Sequence, residues 1–341
     1  MRAVRFHRHG GPEVLTLETA PDPDSRVGQV IVRVQACALN HLDLWQRRGL
    51  DRVTIPFPHI SGADVAGEVV DAPGGEVAAG TRVLLQPGLS CGRCAACLGG
   101  HDNTCARYDV LGYRSDGGYA ELVQVPAVNV VPIPDHVPYV DAAAFPLTFL
   151  TAWHMLVSRA RIRAGETVLV LAGGSGVGQA AIQVARLQGA QVLATAGTAA
   201  KLARARELGA HHVIDHHATD FAAEVRRITE KRGVDVVVEH VGQATWAKSV
   251  RALAAGGRLV TCGNTTGWDA AIDLRFLFSR QLSLLGSYMG TKAELLAASQ
   301  FFFAGRIRPL IDAVLPFTAA ADAHRRLEAG EVCGKLVMTP H

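Results

Sequence analysis

The 341-residue sequence has no apolar run approaching the roughly 18 residues that a membrane-spanning helix needs, which excludes a helical membrane span. Its first residues, Met1-Arg-Ala-Val-Arg-Phe6, lack the apolar core of a secretory signal. Net charge is scarce: +3 from 34 basic and 31 acidic residues, too little and too dispersed for a nucleic-acid partner. An even set of cysteines is also absent. Seven are present, four of them crowded between Cys91 and Cys105, a pattern that fits metal binding in a reducing compartment better than a disulfide framework. These absences predict a cytoplasmic protein with neither membrane nor nucleic acid as partner. The length, with 49% hydrophobic residues, predicts about two domains, each with its own core.

The chain is organised around Val168 to Leu187. A β-branched apolar run, Val168 to Leu171, breaks at Gly173, Gly174, Ser175, Gly176 and Gly178, and then takes up helical periodicity through Val177, Ala181, Val184, Ala185 and Leu187. Strand, tight turn and helix in this order form a phosphate cradle. The glycines admit a pyrophosphate close to the backbone, and the helix N-terminus holds its charge. Downstream, Gln191–Thr195, His212–Ile214, Asp235–Glu239, Arg258–Thr261 and Leu282–Leu285 read as strands. Helical patterns over 199–208, 221–231 and 245–254 fall between them. This alternation predicts a doubly wound parallel sheet that binds its ligand beyond the carboxyl ends of the strands.

Before this, to about Val125, short Val-rich segments separated by Gly, Pro and Asp predict a mostly antiparallel β domain with one short helix over 39–48. A helical pattern over 141–160, broken at Pro146, carries the chain onward, and a last strand, Lys335–Met338, could return to the first domain. The spacing Cys91-x2-Cys94-x2-Cys97-x7-Cys105 places four thiolates where they can enclose one zinc ion tetrahedrally, leaving no position for substrate. Cys37, Cys262 and Cys333 lie apart and read as small buried hydrophobes.

With these pieces in place, the sequence resembles the medium-chain dehydrogenase/reductase superfamily over nearly its full length. The resemblance is carried by Gly11-Pro-Glu13, residues 36–43, Ser61-Gly-Ala-Asp-Val-Ala-Gly67, the cysteine lobe, Pro146-Leu-Thr-Phe-Leu-Thr151, the glycine turn and Gly334-Lys-Leu-Val337. It implies an α/β protein: a GroES-like β-barrel catalytic domain over 1–125 and 288–341, interrupted by a Rossmann domain over 126–287. Nicotinamide and substrate would meet in the cleft between the two. It also implies a structural zinc on Cys91, Cys94, Cys97 and Cys105, and a homodimer or homotetramer, often joined through the last Rossmann strand near 282–286. By family position, Val241, Gly242, Gly263, Asn264, Gly286 and Ser287 line the cofactor groove with the glycine turn, and Thr151 lies near the nicotinamide.

The catalytic zinc of the alcohol dehydrogenases has no counterpart in this alignment. Its usual Cys, His and Cys fall on Asn40, Ala63 and Leu147, and the hydroxyl that starts the proton relay falls on Leu42. Asn40 and the Pro146-Leu147-Thr148 run resemble the quinone oxidoreductase branch instead, so the chain combines features of both. A zinc site rebuilt from Cys37, His41, His59 and Asp64 is the alternative. Asn40 is the candidate to hydrogen-bond substrate or ribose, and His41 and His59 are the candidates to supply a proton.

Cofactor choice is read at the end of the second Rossmann strand. Ala196 stands where an NAD site carries an acid, and Gly197-Thr198-Ala-Ala-Lys201 resembles the Gly-Ser-x-x-Lys run of NADPH-dependent quinone oxidoreductases. Ser175 replaces the middle glycine of the G-x-G-x-x-G register. The reading is an NADPH-preferring oxidoreductase that transfers hydride to a quinone, enone or aldehyde without catalytic zinc. Its alternatives are a zinc-dependent alcohol dehydrogenase with the rebuilt site and a non-catalytic NADPH-binding sensor.

Overall fold

A computed structural model describes residues 1–50 and 53–341, which form two compact units, Met1–Leu147 with Thr291–His341, and Thr148–Gly290.

The first unit opens with an antiparallel pair, β1 (Arg2–Arg5) and β2 (Thr16–Thr19). The long β3 (Gln29–Ala38) runs into helix α1 (His41–Arg48), after which come β4 (Asp64–Asp71) and β5 (Arg82–Leu85). A minor pair, β6 (Gly88–Leu89) and β7 (Asp109–Val110), closes the base of a lobe that carries the single turn α2 (Ala95–Leu98). β8 (Leu122–Pro126), β9 (Val130–Pro132) and α3 (Tyr139–Ala144) follow, and α4 (Pro146–Trp153) leads the chain out.

Six strands make the sheet of the second unit: β10 (Thr167–Val170), β11 (Gln191–Ala196), β12 (His212–Asp215), β13 (Val234–Glu239), β14 (Leu253–Thr261) and β15 (Ser283–Gly286). Every pairing is parallel, and the order is β12-β11-β10-β13-β14-β15. Between the strands run α5 (Gly176–Leu187), α6 (Ala199–Glu207), α7 (Phe221–Ile228), α8 (Trp246–Ala252) and α9 (Leu274–Ser279). Val168, Leu169 and Val170 of β10 are buried on both faces, as a parallel strand covered by helices on both sides must be. This is the doubly wound sheet expected from the alternation. β14 begins earlier than expected, at Leu253, which leaves α8 in extended geometry and pairs with Val234 of β13.

The chain then returns to the first unit through α10 (Lys292–Phe303), β16 (Ile311–Pro316), α11 (Ala320–Glu328) and β17 (Lys335–Thr339). The main sheet there has the order β16-β17-β3-β4-β5-β9, with β8 also on β3. β17 pairs antiparallel with β3, setting Met338 opposite Cys37, so the expected closing strand is present. The boundaries differ from those read in the sequence. Residues 126–147 stay with the first unit, because β9 pairs with β5 and α3 lies against β3 and β4. At the other end the second unit extends to Gly290.

Within the first unit, α1 and α11 are joined by a buried polar lock. Arg47, 1% exposed, pairs with Glu328, donates to the Gly10 carbonyl (3.2 Å) and lies 3.3 Å from Nδ1 of His324. Burial, and then the charge of Arg47, push the His324 pKa down to about 3. Below the ordinary histidine pKa the unfolded chain takes up a proton that the folded chain refuses, so His324 costs stability as pH falls from about 6.5 towards 3. Asp43, raised to about 6 mainly by burial, acts with the opposite sign between about 4 and 6. Replacing His324 with Gln, which accepts from Arg47 but does not titrate, is therefore expected to shift the stability difference from the parent by on the order of 3 kcal/mol in the variant's favour between about pH 7 and pH 4. Urea unfolding at the two pH values measures it, and a constant difference would show that His324 titrates normally.

Candidate functional site

In the second unit, the glycine turn fits a pyrophosphate for reasons visible in its backbone. Ala172, at φ 46°, turns the chain sharply off β10, and its N–H donates to the Thr195 hydroxyl (3.1 Å) while Gly173 N–H donates to the Thr195 carbonyl (2.7 Å). A Cβ on Gly178 would come within 2.1 Å of the Ala172 carbonyl oxygen, and one on Gly174 within 2.8 Å of Lys201 Cγ. Ser175 takes the middle glycine's place without strain. It is the N-cap of α5, in extended geometry, and its hydroxyl accepts from Gly178 N–H at 2.9 Å. Gly176 and Val177 form the first turn behind it. Thr198 caps α6 in the same way, accepting from Lys201 N–H at 3.3 Å.

The remaining groove residues cluster at the carboxyl ends of neighbouring strands. After β13, the buried Glu239 carboxylate accepts from the N–H groups of Val241 (2.7 Å) and Gly242 (3.0 Å) and from the Thr245 and Ser249 hydroxyls. Gly242, at φ 95°, packs so closely that a Cβ would lie 2.9 Å from Asn264 Cα, bringing the loop after β14, with Gly263, against it. Ser287 follows β15. Its N–H donates to the Thr261 carbonyl (2.8 Å), while its buried hydroxyl has no hydrogen-bond partner among the described residues. The Gly286 carbonyl accepts from Arg159 (2.8 Å), and Thr151 is buried in α4. A row of glycines, turned-in amides and one orphaned hydroxyl along the strand ends suits a dinucleotide.

In the first unit, Asn40 and the backbone of Leu147 join a buried ion pair. Nζ of Lys335, on β17, lies 3.0 Å from Asp64 Oδ2, 2.6 Å from Asn40 Oδ1 and 2.7 Å from the Leu39 carbonyl oxygen. Asn40 in turn donates to Asp64 (3.0 Å), and Asp64 Oδ1 accepts from Leu147 N–H (2.8 Å). All three side chains are at least nine-tenths buried. An ammonium thus occupies the charge-compensating position beside Asp64, and Asn40 is fixed by it. Asp43, three residues on, takes backbone N–H from Asn40 (2.7 Å) and Gly62 (3.2 Å) and the Tyr119 hydroxyl (3.1 Å).

The other residues named from sequence separate. His59 belongs to the interior. Its Nε2 lies 3.0 Å from the Gly112 carbonyl oxygen, its ring stands edge-on to Phe6, and burial pushes its pKa down, so the proton-donor role read from sequence does not suit it. His41 is exposed in the first turn of α1, near Trp45. Cys37 is fully buried and its thiol is held well up by burial and by Asp43 and Asp64. Arg47 turns inward to Glu328. Cys262 and Cys333 are half-buried, contrary to the expectation of burial. Among the described residues, Cys37, His41, His59 and Asp64 do not converge as a metal site.

The lobe cysteines do converge. The Sγ atoms of Cys91, Cys94, Cys97 and Cys105 all lie within 4.8 Å of one another, with Cys94 to Cys97 at 3.5 Å and Cys91 to Cys97 at 3.9 Å. Thiolates bound tetrahedrally to zinc at about 2.3 Å are spaced by about 3.8 Å, so the set fits that ion. The backbone N–H of Arg107 donates to Cys105 Sγ at 3.4 Å.

A sheet unit with a four-thiol lobe, joined to a doubly wound dinucleotide unit, defines an oxidoreductase of the zinc-binding dehydrogenase class. Residues 26–135 match the alcohol dehydrogenase GroES-like domain, and residues 176–304 match the zinc-binding dehydrogenase family. The chain belongs to the medium-chain dehydrogenase/reductase superfamily. It is 30% identical to a quinone oxidoreductase of Sus scrofa, over 99% of this chain and 97% of that one. It is 29% identical, over the full length of both, to an NAD-dependent alcohol dehydrogenase of Saccharolobus solfataricus. A crystal structure of an NAD-dependent alcohol dehydrogenase superposes with a TM-score of 0.97 at 45% identity, covering both chains completely.

Sequence reasoning missed Lys335, although it quoted Gly334-Lys-Leu-Val337 as a family feature. Nothing in a linear sequence connects Lys335 to Asn40, 295 residues away. The ion pair makes a direct prediction. Lys335→Met strands a buried carboxylate and is expected to cost about 3–5 kcal/mol, whereas Asp64→Asn with Lys335→Met recovers a large part of that loss. Denaturant midpoints of the two variants test it, and equal losses would deny the coupling.

Proposed function

We propose that this oxidoreductase uses NADPH to reduce an electrophilic carbon of a quinone, enone or reactive aldehyde, with no catalytic metal, and that its cysteine lobe holds one structural zinc. The observation that carries the reading is the Lys335 ammonium bonded to Asp64 and Asn40. Asp64 already has its cation, Asn40, Ala63 and Leu147 offer no thiolate or imidazole, and a divalent ion placed there would face the fixed positive charge of Lys335.

When bound, the nicotinamide supplies a hydride from C4. The acceptor gains that hydride and a proton, and His41, exposed at the start of α1, is the residue we assign to deliver the proton. Asn40 retains one amide hydrogen after its bond to Asp64, enough to orient a polar group of the acceptor or ribose. The turn from Gly173 to Gly178 holds the pyrophosphate, Thr198 and Lys201 face the adenosine ribose, and Thr151, Val241, Gly242, Gly263, Asn264, Gly286 and Ser287 border the remaining length. Without a metal to stabilise an alkoxide, acceptors whose negative charge delocalises are favoured over simple ketones. Four cysteines gathered to hold a zinc ion rather than to pair as disulfides support a reducing, cytoplasmic setting. The family supports a homodimer or homotetramer.

NADH is the second reading, favoured by the NAD-dependent relatives; the absence of an acid at Ala196 favours NADPH. Elemental analysis is expected to find one zinc per chain, and reduction of a quinone or enone by NADPH is expected to survive chelation and to exceed reduction with NADH at least about tenfold in kcat/KM. A second, chelator-sensitive zinc on which alcohol oxidation depends would overturn the metal-free mechanism.

A further inference from the structure

β12 lies parallel to β11 with Asp215 opposite Ala196, so the residues that follow Asp215 emerge beside the position where an NAD site carries its acid. Those residues are His216 and His217. The Asp215 carboxylate accepts from the N–H groups of His217 (2.9 Å) and Ala218 (3.3 Å), and this tight turn aims both rings at Gly197. A Cβ on Gly197 would lie 2.6 Å from Nε2 of His217 and 2.9 Å from Nε2 of His216. The two rings stand edge to face, with centroids 4.6 Å apart, and both are exposed. From α6, the stem of Lys201 lies over Gly174 of the glycine turn. Two imidazole nitrogens and a lysine stem therefore surround the space next to the second strand's end that an acid fills in an NAD site.

Building on the NADPH reading, we propose that His216 and His217 complete, with Lys201, a proton-gated site for the ribose 2′-phosphate, so that acidification strengthens NADPH binding and leaves NADH binding unchanged. The titratable and charged groups facing the pair are Lys201, Asp215 and the two histidines themselves. Burial, and the charges of His217 and Lys201, hold the His216 pKa down, and Asp215 offsets this in part. Without ligand, His216 therefore resists protonation. A phosphate dianion supplies the missing counter-charge, and each protonated ring then gives one charge-assisted N–H bond that its neutral acceptor form cannot. A ribose 2′-hydroxyl offers no such charge, so NADH binding is indifferent to the protons.

The test is a fluorescence titration of the full-length protein with NADPH and with NADH across the neutral range, for the parent and for His216→Gln with His217→Gln. Between about pH 8 and about pH 6.5, the NADPH-to-NADH affinity ratio is expected to rise about tenfold in the parent and less than about twofold in the double variant. Competition by adenosine 2′,5′-bisphosphate should follow the same profile, and competition by adenosine 5′-monophosphate should stay flat. The exposed rings can change without unfolding the chain, so the variant should keep its NADH affinity and its melting temperature. An identical pH profile in the variant, or an equal loss of NADH and NADPH affinity, would overturn the inference and leave the NADPH reading standing. A parent that binds NADH more tightly at every pH would overturn both.

Discussion

The bond between the Lys335 ammonium and the Asp64 carboxylate sets the terms for the first unit. Two charges taken out of water are tolerated only with excellent geometry and full hydrogen bonding, and this pair has both. Asp64 accepts from Lys335, Asn40 and Leu147 N–H, while Lys335 spreads its protons over Asp64, Asn40 and the Leu39 carbonyl. The cluster ties the end of β3, the start of β4, the start of β17 and the start of α4 to one point. Asn40, fixed by two of these bonds, then starts α1. The same arrangement fixes the local charge, because the Lys335 ammonium balances the Asp64 carboxylate from within the fold.

The second unit answers a different constraint. A parallel sheet buries both faces, so polar function is confined to the strand ends, where the backbone must turn. Each turn solves its own problem of hydrogen bonding: Ala172 and Gly173 on Thr195, Val241 and Gly242 on Glu239, Ser287 on Thr261. Glycine appears where the backbone must pass closest, most plainly at Gly178 against the Ala172 carbonyl. Ser175 shows that the middle glycine of the motif can be spared when the residue has extended geometry and caps the helix behind it.

Much of this was legible in sequence because it is local. The strand-glycine-helix pattern, the alternation after it and the cysteine spacing each lie within a few tens of residues, and the structure places them as read. What escaped was the product of folding at a distance. Lys335 reaches Asn40 only because β17 pairs with β3, and His324 meets Arg47 only because α11 packs near α1. His59 was misjudged for the same reason: nothing in its neighbours shows that Phe6 and Gly112 will close over it. The boundary of the units was misplaced because residues 126–147 carry no compositional break, and only the pairing of β9 with β5 assigns them.

The place of β17 in the first unit's sheet has a consequence for how the polypeptide is made. Synthesis proceeds from the N-terminus, and domains fold as units while they emerge. The second unit, contiguous from Thr148 to Gly290, leaves the ribosome whole and can fold while translation continues. The first unit cannot finish until Lys335 and the strand that bears it, which follow the second unit in the chain, appear. Until then the end of β3, at Cys37 and Ala38, lacks its β17 neighbour and Asp64 has no Lys335 ammonium beside it. The N-terminal part of the first unit, made before the second unit, thus waits on a strand made after it.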